Sequence, residues 1–117
     1  NAKSPAWWSV LPELDHNELV GWEAMPQLTS QTVGIVALTE AADHSRVGAR
    51  LRHSRALTEA AVPWVAEVTA EGETPLARLV SLVVLGDLVS LFLADAAGVD
   101  PVPVDTIERL KKLLTEV

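Results

Sequence analysis

The chain has 117 residues, which is the size of one domain or of part of one. Its net charge of −7 argues against nucleic acid or an anionic membrane surface as a partner, because both attract basic proteins. It contains no cysteine, so disulfides and thiolate chemistry are excluded, and we expect a cytoplasmic location. Apolar residues make up 49% of the chain, which is enough to build a hydrophobic core.

The N-terminal segment contains a cluster of polar residues between apolar ones. Residues 4–11, which precede Pro12, are predicted to form the end of a helix. Asp15 is a suitable N-cap for a following helix, and Glu18 lies three residues later in the capping-box position. Residues 26–31 begin with a proline and are otherwise mostly polar, so we predict a loop there.

The residue pattern in the middle of the chain predicts two strands with a helix between them. Residues 33–38 and 64–69 are predicted strands, and residues 43–61 are a predicted helix with an apolar stripe formed by Val47, Leu51, Leu57 and Ala61. Two strands joined through a helix predict a βαβ unit in a parallel sheet that is covered on both faces. Because such sheets have more than two strands, we expect the others upstream of Asn1.

A long apolar helix and a short amphipathic one complete the chain. Thr74 is a predicted N-cap with Pro75 in the first turn, and Gly98 is a predicted helix stop. The apolar run over residues 79–94 is shorter than the roughly 20 residues of a membrane span and contains Asp87, so we predict a helix buried by protein. The last helix is predicted over residues 104–116.

The basic residues concentrate on the middle helix. His44, His53 and the arginines of residues 46–55 suggest a phosphate-binding patch, but the arginines lie largely outside the apolar stripe, which favours a solvated helix face. The histidines at positions 16, 44 and 53 lack the spacing of four residues that places two ligands on one helix face, so no metal site is predicted.

Two stretches match a known family in order and spacing. They are residues 11–22, LPELDHNELVGW, and residues 72–94, GETPLARLVSLVVLGDLVSLFLA, which are followed by GVDP at 98–101 and IERLK at 107–111. Over nearly its whole length the chain resembles the C-terminal sugar isomerase (SIS) domain of bacterial bifunctional phosphoglucose/phosphomannose isomerases. The DHNE motif is the most specific element of this resemblance.

The resemblance implies an α/β fold, an SIS-type three-layer sandwich with a parallel sheet. Residues 1–117 would be the helix-rich C-terminal part of this domain, truncated on its N-terminal side and inactive alone. The parent chain would also contain an N-terminal SIS domain, form a homodimer with shared active sites, and act in the cytoplasm on a phosphosugar without a cofactor. The implied reaction interconverts glucose 6-phosphate or mannose 6-phosphate with fructose 6-phosphate.

The resemblance also implies roles for particular residues. His16 matches the histidine that opens the sugar ring in the neighbouring subunit's site, and Lys111 matches a lysine that assists ring opening. Asn17 and Glu18 either orient His16 or cap the helix. The family's enediol base is a glutamate directly before an Asn-Ala-Lys run, and Asn1 begins such a run here, so the base would lie one position before the chain.

Two alternatives remain open at this point. Val102 and Val104 occupy a region where the family commonly has a threonine associated with accepting mannose, so the preference between glucose and mannose is undecided. The parent could also be a non-catalytic SIS module that binds a phosphosugar or serves in dimerisation. A glutamate immediately before Asn1 would favour the enzyme.

Overall fold

The computed structural model describes residues 4–10 and 15–115, without the side chains of Asp15, His16 and Glu23. The helices are α1 (Asp15–Ala24), α2 (Pro26–Thr32), α3 (Ser45–Thr58), α4 (Pro75–Ala96) and α5 (Asp105–Leu114). The strands are β1 (Ile35–Thr39) and β2 (Val65–Thr69), and a 3-10 turn (Glu59–Ala61) follows α3. The chain divides into two compact units, one formed by Trp7–Leu82 and the other containing most of α4 and all of α5.

The first unit is built on a parallel pair of strands. β1 and β2 pair from Ile35 with Val65 to Thr39 with Thr69, and α3 connects them. The hydroxyl groups of Thr39 and Thr69 lie 3.0 Å apart at the carboxyl end of the ladder. This arrangement confirms the predicted βαβ unit and the α/β class, although β1 begins two residues later than predicted.

Glycine and tryptophan meet directly before the two strands. A Cβ atom built on Gly34 would overlap the indole ring of Trp64. The backbone N–H of Ile35 donates to the carbonyl of Trp64 at 3.2 Å, so the same contact begins the ladder. Only a residue without a side chain fits at position 34 while Trp64 keeps this position.

Helix α3 begins with a cap that its sequence pattern does not predict. The Nδ1 atom of His44 accepts a hydrogen bond from the backbone N–H of Arg46 at 3.2 Å, which satisfies one of the free donors of the first turn. The helix lies within the predicted range, but Leu57, which was assigned to the apolar stripe, is 71% exposed.

Helix α4 begins and ends as predicted. The backbone N–H of Ala77 donates to Oγ1 of Thr74 at 3.1 Å, and Pro75 occupies the first turn. Gly98 follows the helix with a φ of +64°, a conformation that favours glycine.

The predicted burial of α4 is wrong for this chain. Ala94 is its one buried residue, whereas Leu79, Val83 and Phe92 are 54–69% exposed. The reason is that the described residues supply no layer that covers this helix. By length and composition alone, α4 is also the one helix of the described chain that could cross a membrane.

Two further predictions near the N-terminus are wrong. Residues 4–10 contain no helix; Pro5 has no N–H to donate and restricts Ser4 to an extended backbone. Residues 26–31 lie in helix α2 instead of a loop, because Pro26 is favourable in a first helical turn. The hydroxyl of Thr32 donates to the carbonyl of Leu28 at 2.6 Å, so its polar side chain is satisfied within the helix.

Candidate functional site

Helix α1 carries three of the four residues proposed for the site. His16 and Asn17 lie in its first turn, and Glu18 follows them. The side chains of Asn17 and Glu18 are exposed, whereas that of His16 lies outside the described part of the structure. The proposed capping bond of Asp15 also falls outside it. The four consecutive DHNE residues therefore lie at the start of α1.

Lys111 lies on α5 in the second compact unit. It is exposed, occupies the last turn beside Lys112, and forms no ion pair with any residue that the structure describes. Asp105 and Glu108 occupy the first turn of the same helix. Negative charge at the N-terminus and positive charge at the C-terminus both complement the helix dipole, so the charges of α5 also serve its stability.

The segment before α5 contains Val102 and Val104. The backbone N–H of Val102 donates to Oδ1 of Asp100 at 2.9 Å, which closes a tight turn. Val104 is the N-cap of α5 and provides no side-chain hydrogen bond. A threonine at position 104 would supply the missing acceptor.

An ion pair connects the segments that follow the two strands. Nε of Arg78 donates to Oε1 of Glu40 at 2.6 Å, and the Arg78 side chain is 19% exposed. Its Nη1 atom also lies 3.4 Å from the carbonyl oxygens of Gly72 and Glu73. In open α/β sheets ligands bind beyond the carboxyl ends of the strands, and Arg78 fixes the backbone there.

A second contact holds the same segment. The backbone N–H of Glu71 donates to Oγ of Ser81 at 2.9 Å, and Gly72 has a φ of +141° and lies against Ala77. Sequence reasoning missed both Arg78 and Ser81. Arg78 and its partner Glu40 are 38 positions apart, so no local pattern could have indicated their pairing.

The described residues contain no group of three histidine or carboxylate side chains that could hold a metal ion. Imidazole is suited to proton transfer near neutral pH, and an ammonium group can stabilise negative charge on a sugar oxygen.

The similarity to known proteins extends over the whole chain. A relative from Aquifex aeolicus, a bifunctional phosphoglucose/phosphomannose isomerase, is 44% identical over 97% of this chain. Proteins of the same name from Caldicellulosiruptor bescii and Thermoplasma volcanium are 41% and 33% identical over 100% and 96% of it. The chain spans about a third of the length of these relatives, 34–35%.

No solved structure matches the chain significantly. The sequence model of one family, the bacterial phospho-glucose isomerase C-terminal SIS domain, matches residues 1–114. This match leaves out three residues, and the relatives align over the same region. The chain therefore belongs to the family of bacterial phosphoglucose isomerase C-terminal SIS domains.

Proposed function

We propose that the chain is the C-terminal part of a phosphosugar isomerase. The full-length protein would convert glucose 6-phosphate, mannose 6-phosphate or both to fructose 6-phosphate. The observation that supports this most strongly is the alignment with two named isomerases at 41–44% identity over 97–100% of the chain. The whole of α1 and α5 falls within that aligned length, including the positions of the proposed site residues.

The proposed reaction moves hydrogen within one sugar molecule. A base removes a proton from C2 of the open-chain aldose and returns it to C1 through an enediol, while the hydroxyl proton on O2 is lost and O1 gains one. C2 is therefore oxidised while C1 is reduced. No external oxidant or reductant is required, and the proposal therefore includes no cofactor. Before this step the sugar ring must open, which requires a proton donor and a proton acceptor.

His16 and Lys111 are proposed for ring opening. An imidazole with an ordinary pKa of about 6.5 can give and take a proton near neutral pH. Lys111 would polarise the sugar oxygens. Asn17 and Glu18 would orient His16, and the enediol base would be a glutamate directly before Asn1. The isolated chain of 117 residues is expected to be inactive, because it spans only 34–35% of the length of the relatives.

The assembly proposed for the full-length protein is a cytoplasmic homodimer in which each chain also has an N-terminal SIS domain. The exposure of the apolar side chains of α4 supports this assembly. Leu79, Val83 and Phe92 lie on a helix whose apolar side chains this chain leaves largely in contact with solvent. An apolar surface of this kind is typical of a helix that is covered by protein in the complete assembly.

The first test replaces His16 in the full-length protein. We expect His16→Ala to lower kcat for the glucose 6-phosphate to fructose 6-phosphate reaction by about 10²–10⁴-fold, the usual contribution of general acid–base catalysis. The matched control is His44→Asn, which removes a histidine but keeps a side chain that can cap α3. Parental turnover by His16→Ala would refute the proposed role. Substrate binding without isomerisation by the unmodified protein would instead favour a non-catalytic module.

The second test asks whether the site is shared between subunits. His16→Ala and Lys111→Ala proteins are each purified as inactive dimers and then mixed and allowed to exchange subunits. Random exchange makes half of the dimers hybrids, and each hybrid has one intact site out of two. Activity should therefore recover to about one quarter of the wild-type value. Hybrids without activity would show that His16 and Lys111 do not meet across the dimer.

A further inference from the structure

Helix α3 has an unusual charge for this protein. The chain carries a net charge of −7, yet Ser45–Thr58 contains no acidic residue and four of the six arginines. These arginines are Arg46, Arg50, Arg52 and Arg55. Helix α3 therefore carries four of the nine lysine and arginine residues of the chain and no acidic residue to offset them.

Only part of this charge is neutralised within the chain. Nη1 of Arg55 pairs with Oε2 of Glu67 on β2 at 2.8 Å. Arg46 and Arg50 form no ion pair with any side chain in the described ranges. They are four residues apart, and His53 follows three residues after Arg50. The three cationic or basic side chains consequently share one face of the helix.

This arrangement is locally unfavourable. Like charges four residues apart on a helix destabilise it by about 0.2–0.5 kcal/mol. Arg46 also occupies the first turn, where the helix dipole disfavours a cation by about 0.3–1 kcal/mol. Residues that oppose local stability, with no compensating contact among the described side chains, are typical of functional sites.

The same face lines a groove between α3 and α1. Arg46, Arg50 and His53 line it together with the apolar side chains of Leu19 and Leu57. Its volume is about 560 Å³, within the range of small-molecule sites. Cationic and apolar groups thus lie in one concavity, and no carboxylate of the described residues lines it.

We propose that this groove binds the phosphate monoester dianion of a small molecule. Two guanidinium groups one helical turn apart can both donate to the oxygens of one phosphate, and such charge-assisted bonds are among the strongest in proteins. Leu19 and Leu57 would contact the carbon skeleton. The inference does not depend on His16 or Lys111, so it stands or falls independently of the proposed isomerase activity.

The test measures the reactivity of individual arginines in the full-length protein. Phenylglyoxal modifies exposed guanidinium groups, and mass spectrometry of the peptides gives a rate for each position. Inorganic phosphate at ten times its dissociation constant should slow modification of Arg46 and Arg50 about tenfold relative to chloride at equal ionic strength. Arg52, on the same helix but outside the groove, is the internal control and should react at an unchanged rate.

Two comparisons complete the experiment. Arg46→Gln should abolish the phosphate protection of Arg50, whereas Arg52→Gln should preserve it. The second comparison uses fructose 6-phosphate in place of inorganic phosphate. Protection at a lower concentration would identify an organic phosphate as the ligand, whereas protection at the same concentration would identify free phosphate. Equal rates in phosphate and chloride would overturn the proposal. So would slow modification of both arginines in chloride, since the groove would then be covered by protein.

Discussion

Gly34 shows how closely a single position can be constrained in this chain. The indole ring of Trp64 occupies the space that a Cβ atom at position 34 would need. Trp64 is itself 53% exposed, so the contact is not enclosed by a deep core. Its importance comes from its place at the start of the parallel ladder, where Ile35 bonds to the carbonyl of Trp64.

We expect Gly34→Ala to lower the free energy of unfolding by about 1–3 kcal/mol, the usual cost of forcing extra atoms into a filled space. Urea unfolding of the full-length protein, monitored by circular dichroism, would measure this. Gly21→Ala is the control, because a Cβ there meets nothing within 4 Å and alanine favours the helix. Gly34→Ala with unchanged stability would contradict the close contact between Gly34 and Trp64.

The two arginine–glutamate pairs provide a second comparison at the residue scale. Arg55 and Glu67 are 37% and 45% exposed, and exposed pairs contribute about 0–1 kcal/mol. Arg78 is less exposed and also contacts two backbone carbonyls. Arg78→Gln should therefore cost about 1–3 kcal/mol, and Arg55→Gln should cost less than about 1 kcal/mol. Equal urea midpoints for the two variants would show that Arg78 does not fix the segment after β2.

At the scale of elements, the start of α5 offers a test of helix capping. Val104 is an N-cap without a side-chain acceptor. Val104→Thr should stabilise the protein by about 0.5–2 kcal/mol. Val102→Thr, on the exposed turn before the helix, is the control and should leave stability within about 0.5 kcal/mol.

Substrate preference distinguishes capping from sugar recognition. If threonine at position 104 serves only as a cap, the ratio of activities toward mannose 6-phosphate and glucose 6-phosphate should not change. A large gain for mannose 6-phosphate in Val104→Thr would assign the hydroxyl to the sugar, because a site that bonds a substrate hydroxyl discriminates strongly.

Element boundaries were predictable where local chemistry determines them. Thr74 and Pro75 begin α4, and Gly98 follows its end, because caps and helix stops depend on neighbours in sequence. Helix α2 was missed because its threonines and glutamines resemble a loop in composition. Its hydroxyl groups bond to its own backbone, which sequence composition does not reveal.

The candidate site rests on the resemblance and stays a prediction. The DHNE motif suggested His16, Asn17 and Glu18, and the last helix suggested Lys111. Without the resemblance, the residue types alone would favour a helix cap for residues 15–18 and a solvated side chain for Lys111. Contacts between distant segments, such as that of Arg78 with Glu40, depend on the fold and leave no local pattern.

At the scale of the whole molecule, burial is limited. The buried apolar residues of the described chain are all small or medium in size: Ala37, Val62, Ala70 and Ala94. No large side chain among the described residues is fully buried. Most of the large apolar residues, including those of α4, therefore lack a covering layer within this chain.

The chain expressed alone should consequently associate with itself. We expect sedimentation velocity to show oligomers and a dye that binds exposed apolar surface to fluoresce strongly, whereas the full-length protein should give little dye signal. Replacing Val84 and Leu88 on α4 by lysine should reduce both effects. A monodisperse monomer without dye binding would contradict the exposure of α4.

The parallel pairing of β1 and β2 also has a kinetic consequence. Every pair in the ladder joins residues 30 positions apart, and closing a loop of that length costs about 3 kcal/mol of entropy before any strand bond is gained. Formation of α3 shortens the path between the strands, because a helix rises only about 1.5 Å per residue. Folding of this unit should thus begin in α3, so that substitutions weakening this helix slow folding.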